Sequence, residues 1–222
     1  MKRKIFAIPR RAAPVVCFII LLLAQSQDLS AQRAKREDKM RVYAVDLSQS
    51  RVVATLTQEG FISRRYPNHR VEVRNFGGKI EVSDKDETQI AVEVEAEAKS
   101  LVNVDEKMTE FERREFHNVL NAQVLESDKF PTIKFVSVSI SDERKSGDAR
   151  TFTLNGDLTL RDSTRRVSFP VTVTISRDQL RATGEAELKQ SDFGITPYSG
   201  KLGMIKIGDV VKIKFEVVAK SS

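Results

Sequence analysis

The stretch RVSFPVTVTI, residues 166–175, decides the fold class. Val167, Phe169, Val171, Val173 and Ile175 alternate with Arg166, Ser168, Pro170, Thr172 and Thr174. Successive side chains of a strand point to opposite faces, so this order makes one dry face and one wet face. IAVEVEAEA (90–98) sets Ile90, Val92, Val94 and Ala96 against Ala91, Glu93, Glu95 and Glu97. VKIKFEV (211–217) sets Val211, Ile213, Phe215 and Val217 against Lys212, Lys214 and Glu216. One-sided strands of this kind belong to antiparallel sheets. Pro170 falls inside the best of them, where it has no N–H for a ladder bond, so an edge, a bulge or irregular pairing is expected there.

Working outward, RVYAVD, RVVATLT, RVEVRNF, GKIEV, TIKFVSVSI, TFTLNGDLTL and QLRATGEAEL read as further strands, most of them separated by turn-forming residues. Roughly eight to ten short antiparallel strands imply a sandwich or a barrel. One stretch breaks the pattern. VNVDEKMTEFERREFHNVLNAQVLES carries a capping box at Thr109–Glu112 and an uneven apolar stripe of Met108, Phe111, Phe116, Val119, Leu120 and Val124. It predicts a single covering helix around residues 105–129. Pro131 drives Phe130 toward extended backbone, which ends the helix by about Lys129.

At 222 residues and 40% hydrophobic content, the chain is long enough for one sizeable core. The first residues, MKRKIFAIPRRAAPVVCFIILLLAQSQDLSAQ, have a basic start, an apolar run from Ala12 to Leu23, and small residues at Ser30 and Ala31. That order predicts a secretory signal peptide over 1–31, with an uncleaved anchor as the alternative. A disordered lead-in at 32–40 and one domain over 41–222 follow. Without residues 1–31 the formal charge falls from +6 to about +2 and the only cysteine, Cys17, is lost. The basic footprint of a nucleic-acid binder is then missing, and so are disulfides and cysteine chemistry. A transmembrane barrel is disfavoured by the absence of tryptophan and of aromatic girdles.

Three motifs in order resemble the YceI-like family. VLESDKFPTIKF carries Leu125, Glu126, Ser127, Phe130, Pro131, Thr132, Ile133 and Phe135. GDLTLRDSTRRVSFPVTV carries Gly156, Leu158, Thr159, Arg166, Val167, Pro170 and Val171. QSDFGITPYSG with IGDVVKIKFEV carries Ser191, Asp192, Phe193, Gly194, Ile195, Gly208, Val211 and Ile213. Phe76, Gly78 and Ile80 add a shorter match, and the likeness spans about residues 41 to 219. The chain departs from the family at RVVATLTQEGFISRRYPNHR, where a His-Leu-Gly loop is usual, and at Asp162, where many members have glycine. The resemblance implies an all-β, mainly antiparallel, lipocalin-like closed or nearly closed β-barrel of about eight strands. It also implies an exported protein of the periplasm or exterior that holds a polyisoprenoid or fatty chain. A ligand-free structural or protein-interaction domain of the same fold is the alternative, because alternation fits a filled barrel as well as a hollow one.

Candidate lining residues for an apolar ligand are Val92, Val94, Ile133, Phe135, Phe169, Val171, Ile213 and Phe215, with Phe193 and Tyr198 at a cavity mouth. Glycines Gly194, Gly200 and Gly203 accompany the mouth. Catalysis is not expected. His69 and His117 are far apart in sequence, Ser191-Asp192 lacks a nearby histidine, and Glu93, Glu95 and Glu97 share a solvated face. Asp192 is expected to bond local backbone amides. No cofactor, metal, nucleic acid or stable membrane span is expected; a homodimer is compatible with the sequence.

Overall fold

The alternating stretches become strands wherever the structure, a computed structural model, describes the chain: residues 39–59, 68–200 and 205–222. The expected signal peptide, the lead-in up to residue 38, residues 60–67 and Gly203 lie outside the described residues. The strands are β1 (Met40–Val45), β2 (Arg51–Glu59), β3 (His69–Val73), β4 (Phe76–Ser83), β5 (Ile90–Glu97) and β6 (Leu101–Asn103), then β7 (Thr132–Ser146), β8 (Ala149–Leu160), β9 (Ser163–Ile175), β10 (Gln179–Lys189), β11 (Ser199–Gly200) and β12 (Ile205–Ser221). Every neighbouring pair is antiparallel.

Three pairs of short strands are single staves with a bend. β1 passes into β2 through a 3-10 turn at Leu47–Gln49, where the Asp46 carboxylate accepts the Ser48 N–H at 3.0 Å. β3 and β4 are separated by Arg74 and Asn75, and β5 and β6 by a turn at Ala98–Ser100. With β7, β8, β9, β10 and β12 they make eight staves, and β1 pairs back onto β12 with Tyr43 opposite Ser221 and Val45 opposite Ala219. The fold is the expected closed, lipocalin-like antiparallel barrel with a single short helix.

Helix α1 (Glu110–Val119) is shorter than the 105–129 span expected from sequence. The capping box forms: the Thr109 hydroxyl accepts the Glu112 N–H at 3.2 Å, and Glu112 accepts the Thr109 N–H at 2.9 Å. A π-turn, Leu120–Val124, follows, with the Leu125 N–H bonded to the Leu120 carbonyl at 2.8 Å. The wider turn adds a residue per revolution, so Leu120, Val124 and Leu125 all pack into one cluster together with Phe116. Phe111 falls outside that arc and is 67% exposed, contrary to its place in the expected stripe. Glu126 adopts φ 48° and ends the helical stretch, five residues before Pro131. Pro131 therefore starts β7 but does not stop the helix.

Two hydrophobic clusters fill the barrel unevenly. At one end Tyr43, Ile80, Val82, Phe152, Leu154, Val171, Val173, Leu180, Ala182 and Ala219 pack against each other. At the other, Val71, Ala98 and Leu101 of the wall meet Leu120 and Leu125 of the helical cover.

Candidate functional site

Members of both clusters border an apolar cavity of about 340 Å³. Its lining is hydrocarbon except for Lys189 and Gln190. The floor is built from a large-small alternation across five neighbouring staves. Phe135 of β7, Phe169 of β9 and Phe215 of β12 supply rings, with centroids 5.6 Å and 5.7 Å apart, while Gly156 of β8 and Gly184 of β10 lie between them. A side chain at either glycine would collide: a β-carbon at Gly184 would sit 2.5 Å from the Phe215 ring and 2.6 Å from the Pro170 carbonyl oxygen. A β-carbon at Gly156 would likewise run into the Phe135 ring and, at 2.7 Å, the Val136 carbonyl oxygen. Glycines thus make room for three phenyl rings across the barrel, inclined at 48° and 76° to one another, in the alternation of small and large inward residues common in small barrels. Above that floor, Ala54, Val73, Ala96, Ala186 and Val211 line the wall, and their short side chains leave the axis empty.

All eight sequence-selected lining residues, Val92, Val94, Ile133, Phe135, Phe169, Val171, Ile213 and Phe215, face this cavity. Val171 is also part of the packed end, so it serves core and cavity at once. Phe193 lines the cavity and is 2% exposed. Tyr198 does not line it; the residue is 38% exposed, and its carbonyl accepts the Ile207 N–H at 2.9 Å. It sits one step into the connection toward β11, past the point where the chain leaves the cavity rim.

The barrel wall is incomplete beside Phe193. β9 and β8 pair along their whole lengths, but β9 and β10 pair only from Leu180 opposite Ile175 to Gly184 opposite Val171. The ladder stops at Pro170. Its carbonyl points at Gly184, and because the nitrogen and carbonyl of one strand residue face the same neighbour, the absent N–H is the one β10 would have used. This is the irregular pairing that a mid-strand proline predicts. Beyond it, residues 163–170 of β9 and 185–189 of β10 diverge. A cleft of about 380 Å³ opens there, lined by Arg165, Arg166, Val167, Ser168, Glu187, Leu188, Lys189, Asp192, Phe193 and Val210.

A 3-10 turn, Gln190–Phe193, closes the inner part of this seam. Buried Gln190 donates its side-chain amide to the Gly208 carbonyl at 2.9 Å. Asp209 accepts the Ser191 N–H at 2.8 Å and the Ser191 hydroxyl at 2.6 Å, and these bonds, the hydroxyl first, hold its carboxyl below the usual range. Gly194 ends the turn at φ 69°, a left-handed conformation that glycine adopts without strain. Sequence assigns the local amide-accepting role to Asp192, but Asp209, on β12 at the other side of β10, performs it. Asp192 instead offers its backbone carbonyl to Arg165 Nε at 2.7 Å, a bridge from β9 to the turn.

The two histidines stand in separate settings: the His117 carbonyl accepts the Asn121 amide at 3.0 Å, and His69 belongs to a polar cluster. His69 Nδ1 lies 2.9 Å from Asp105 Oδ2 and Nε2 lies 2.9 Å from the Gln58 amide, so both ring nitrogens are occupied. Asp105 also accepts the Arg70 N–H at 3.0 Å and the Asn103 amide at 3.0 Å, while Arg113 donates to the Asn103 and Asp105 carbonyls at 2.5 and 3.0 Å. With Phe116 against the His69 ring at 5.2 Å, this cluster fastens α1 to β3 and β6. On the solvated face of β5, Glu93 and Glu95 share Lys134 at 2.5 and 2.9 Å. Among the described residues no group of three His, Cys, Asp or Glu side chains is placed to hold a metal, and no helix is long and apolar enough to cross a membrane.

A family model described as the YceI-like domain matches residues 43–219. Among solved structures, BcnA of Burkholderia cenocepacia superposes with a TM-score of 0.61 at 20% identity, covering 79% of this chain and 99% of that one. The YceI protein of Campylobacter jejuni gives 0.53 at 13% identity, covering 71% and 87%. At these identities the likeness is one of fold. No curated protein matches the sequence.

Proposed function

The chain belongs to the YceI-like family, and we propose that it is an exported, non-catalytic binding protein of the bacterial periplasm or exterior that holds one long apolar molecule, a polyisoprenoid or fatty chain, inside its barrel. The observation that carries this reading is the cavity. It encloses about 340 Å³ walled by hydrocarbon, which falls in the range of roughly 300–1,000 Å³ typical of small-molecule sites. Apolar surface of this extent, kept from side-chain filling by Ala54, Ala96 and Ala186, favours a ligand that needs shape and hydrophobicity but no particular chemistry. The basic, apolar, small-residue order of residues 1–31 supports export.

Native mass spectrometry of the purified protein, with lipid extraction of the same sample, tests the reading. A bound single-chain lipid is expected, and Ala186→Trp, which fills the axis, should abolish it while the fold persists. A barrel that carries no lipid and takes up no prenol or fatty acid on incubation would refute the proposal.

A further inference from the structure

We infer that the seam between β9 and β10 is a head-group subsite, and that the ligand is a single-chain amphiphile with an anionic head, a carboxylate or phosphate. The inference rests on the binding reading above. Val167, Leu188, Lys189 and Phe193 border both the cavity and the cleft, so the two meet at the unpaired part of the wall, with Phe193 between them. A wholly apolar guest would have no use for this exit, whose outer rim is polar and charged.

The charges on that rim are unequally engaged. Glu187 is paired with Lys212 at 3.2 Å, and Arg166 clamps Asp157 at 2.7 and 3.2 Å. Asp192 contributes its carboxylate to the cleft, and the nearby Asp209 is occupied by Ser191. Arg165 spends Nε on the Asp192 carbonyl and Nη1 on the Thr164 carbonyl, which leaves Nη2 without a bond among the described residues. Lys189 is exposed on the rim of the cleft, has no ion-pair partner within salt-bridge distance among the described residues, and acts on the Asp209 carboxylate only through its charge. An ammonium with three donors on such a rim is matched by an anion. The neighbouring Arg165 supplies a second donor from the opposite side of the seam.

Matched ligand pairs test this: lauric acid against dodecanol, and farnesyl phosphate against farnesol, each displacing an uncharged environment-sensitive dye from the purified protein. The anionic member of at least one pair should bind about tenfold or more tightly, the gain expected of a charge-assisted contact. The pair that shows it tells a carboxylate head from a phosphate one. Lys189→Gln combined with Arg165→Gln should remove the preference and leave the alcohols' affinities unchanged. If the alcohols bind as tightly as the anions, the head-group inference fails while the binding reading stands; if no ligand binds, both fail. Location is tested separately in a Cys17→Ser background. A bulky maleimide on Ser168→Cys should slow uptake, whereas the same label on Lys79→Cys, on the far stave, should not. Wild-type uptake by the labelled Ser168→Cys protein would overturn the assignment of the seam.

Discussion

The two ends of the barrel share one wall and one alternating pattern, and both border the same cavity, yet the side chains they turn inward differ in size. At one end Tyr43 is fully buried, its hydroxyl donates to the Ser176 carbonyl at 2.7 Å, and the larger Phe152, Leu154 and Leu180 join its cluster at the edge of the cavity. Burial pushes the Tyr43 hydroxyl's pKa up. Elsewhere along the cavity the inward positions carry the small Ala54, Ala96, Ala186 and Val211, and Leu120 and Leu125 of the helical cover border the space. The contrast teaches that inward-facing side-chain size, not periodicity, separates a structural core from a container.

The sharpest way to break the comparison is to truncate one residue in each half. Phe152→Ala should cost about 3–5 kcal/mol in chemical denaturation, because its buried ring joins the Tyr43 cluster and its loss enlarges the adjoining cavity. Val211→Ala, beside space that is already empty, should cost on the order of 1 kcal/mol and mainly weaken ligand binding. Equal losses would show that the cavity side is packed in solution. Gly184→Ala attacks the boundary between halves: its new methyl meets Phe215 and the Pro170 carbonyl, for a loss of about 1–3 kcal/mol. A tilted Phe215 ring should also change the cavity's ligand selectivity. Tyr43→Phe removes two hydrogen bonds, one donated to the Ser176 carbonyl and one accepted from Arg41, and should cost about 1–2 kcal/mol without affecting binding.

The smallest effect concerns acid. Asp209 has its carboxyl lowered by the Ser191 bonds, so the anchoring it gives the Gln190–Phe193 turn is present above the ordinary carboxylate pKa and fades as pH falls through the depressed one. Ligand release measured across that acid range should be shallower in Asp209→Asn. An identical acid limb in the variant would mean that the turn is held by Gln190 alone.

Much of this architecture is legible in the chain. Period-two alternation at 90–98, 166–175 and 211–217 marks strands because one face is dry, and Pro170 marks the place where a ladder fails. The inward set, from Val92 to Phe215, follows from the same count. What alternation cannot convey is distance across the axis, so the emptiness above the phenyl floor is invisible until eight staves close. Lys189 reads as an ordinary wet-face residue and is exposed, and only the short β9–β10 ladder reveals that it stands on a cleft in the wall. The helix end is misread for a related reason. Pro131 is a strong local signal, whereas the π-turn at Leu120–Val124 answers to packing against Val71 and Leu101.

The pairing of Tyr43 with Ser221 has a consequence in time. The stave that seals the barrel, β12, follows the other seven in chain order, and it must find both β10 and the first stave. Until that happens β1 and β10 are exposed edges, able to template intermolecular pairing. Closing so long a loop carries an entropic penalty that must be met before most native contacts return it, which favours slow folding. A chain that ends before β12 would therefore not fold to a smaller barrel; it would persist as an open, aggregation-prone sheet.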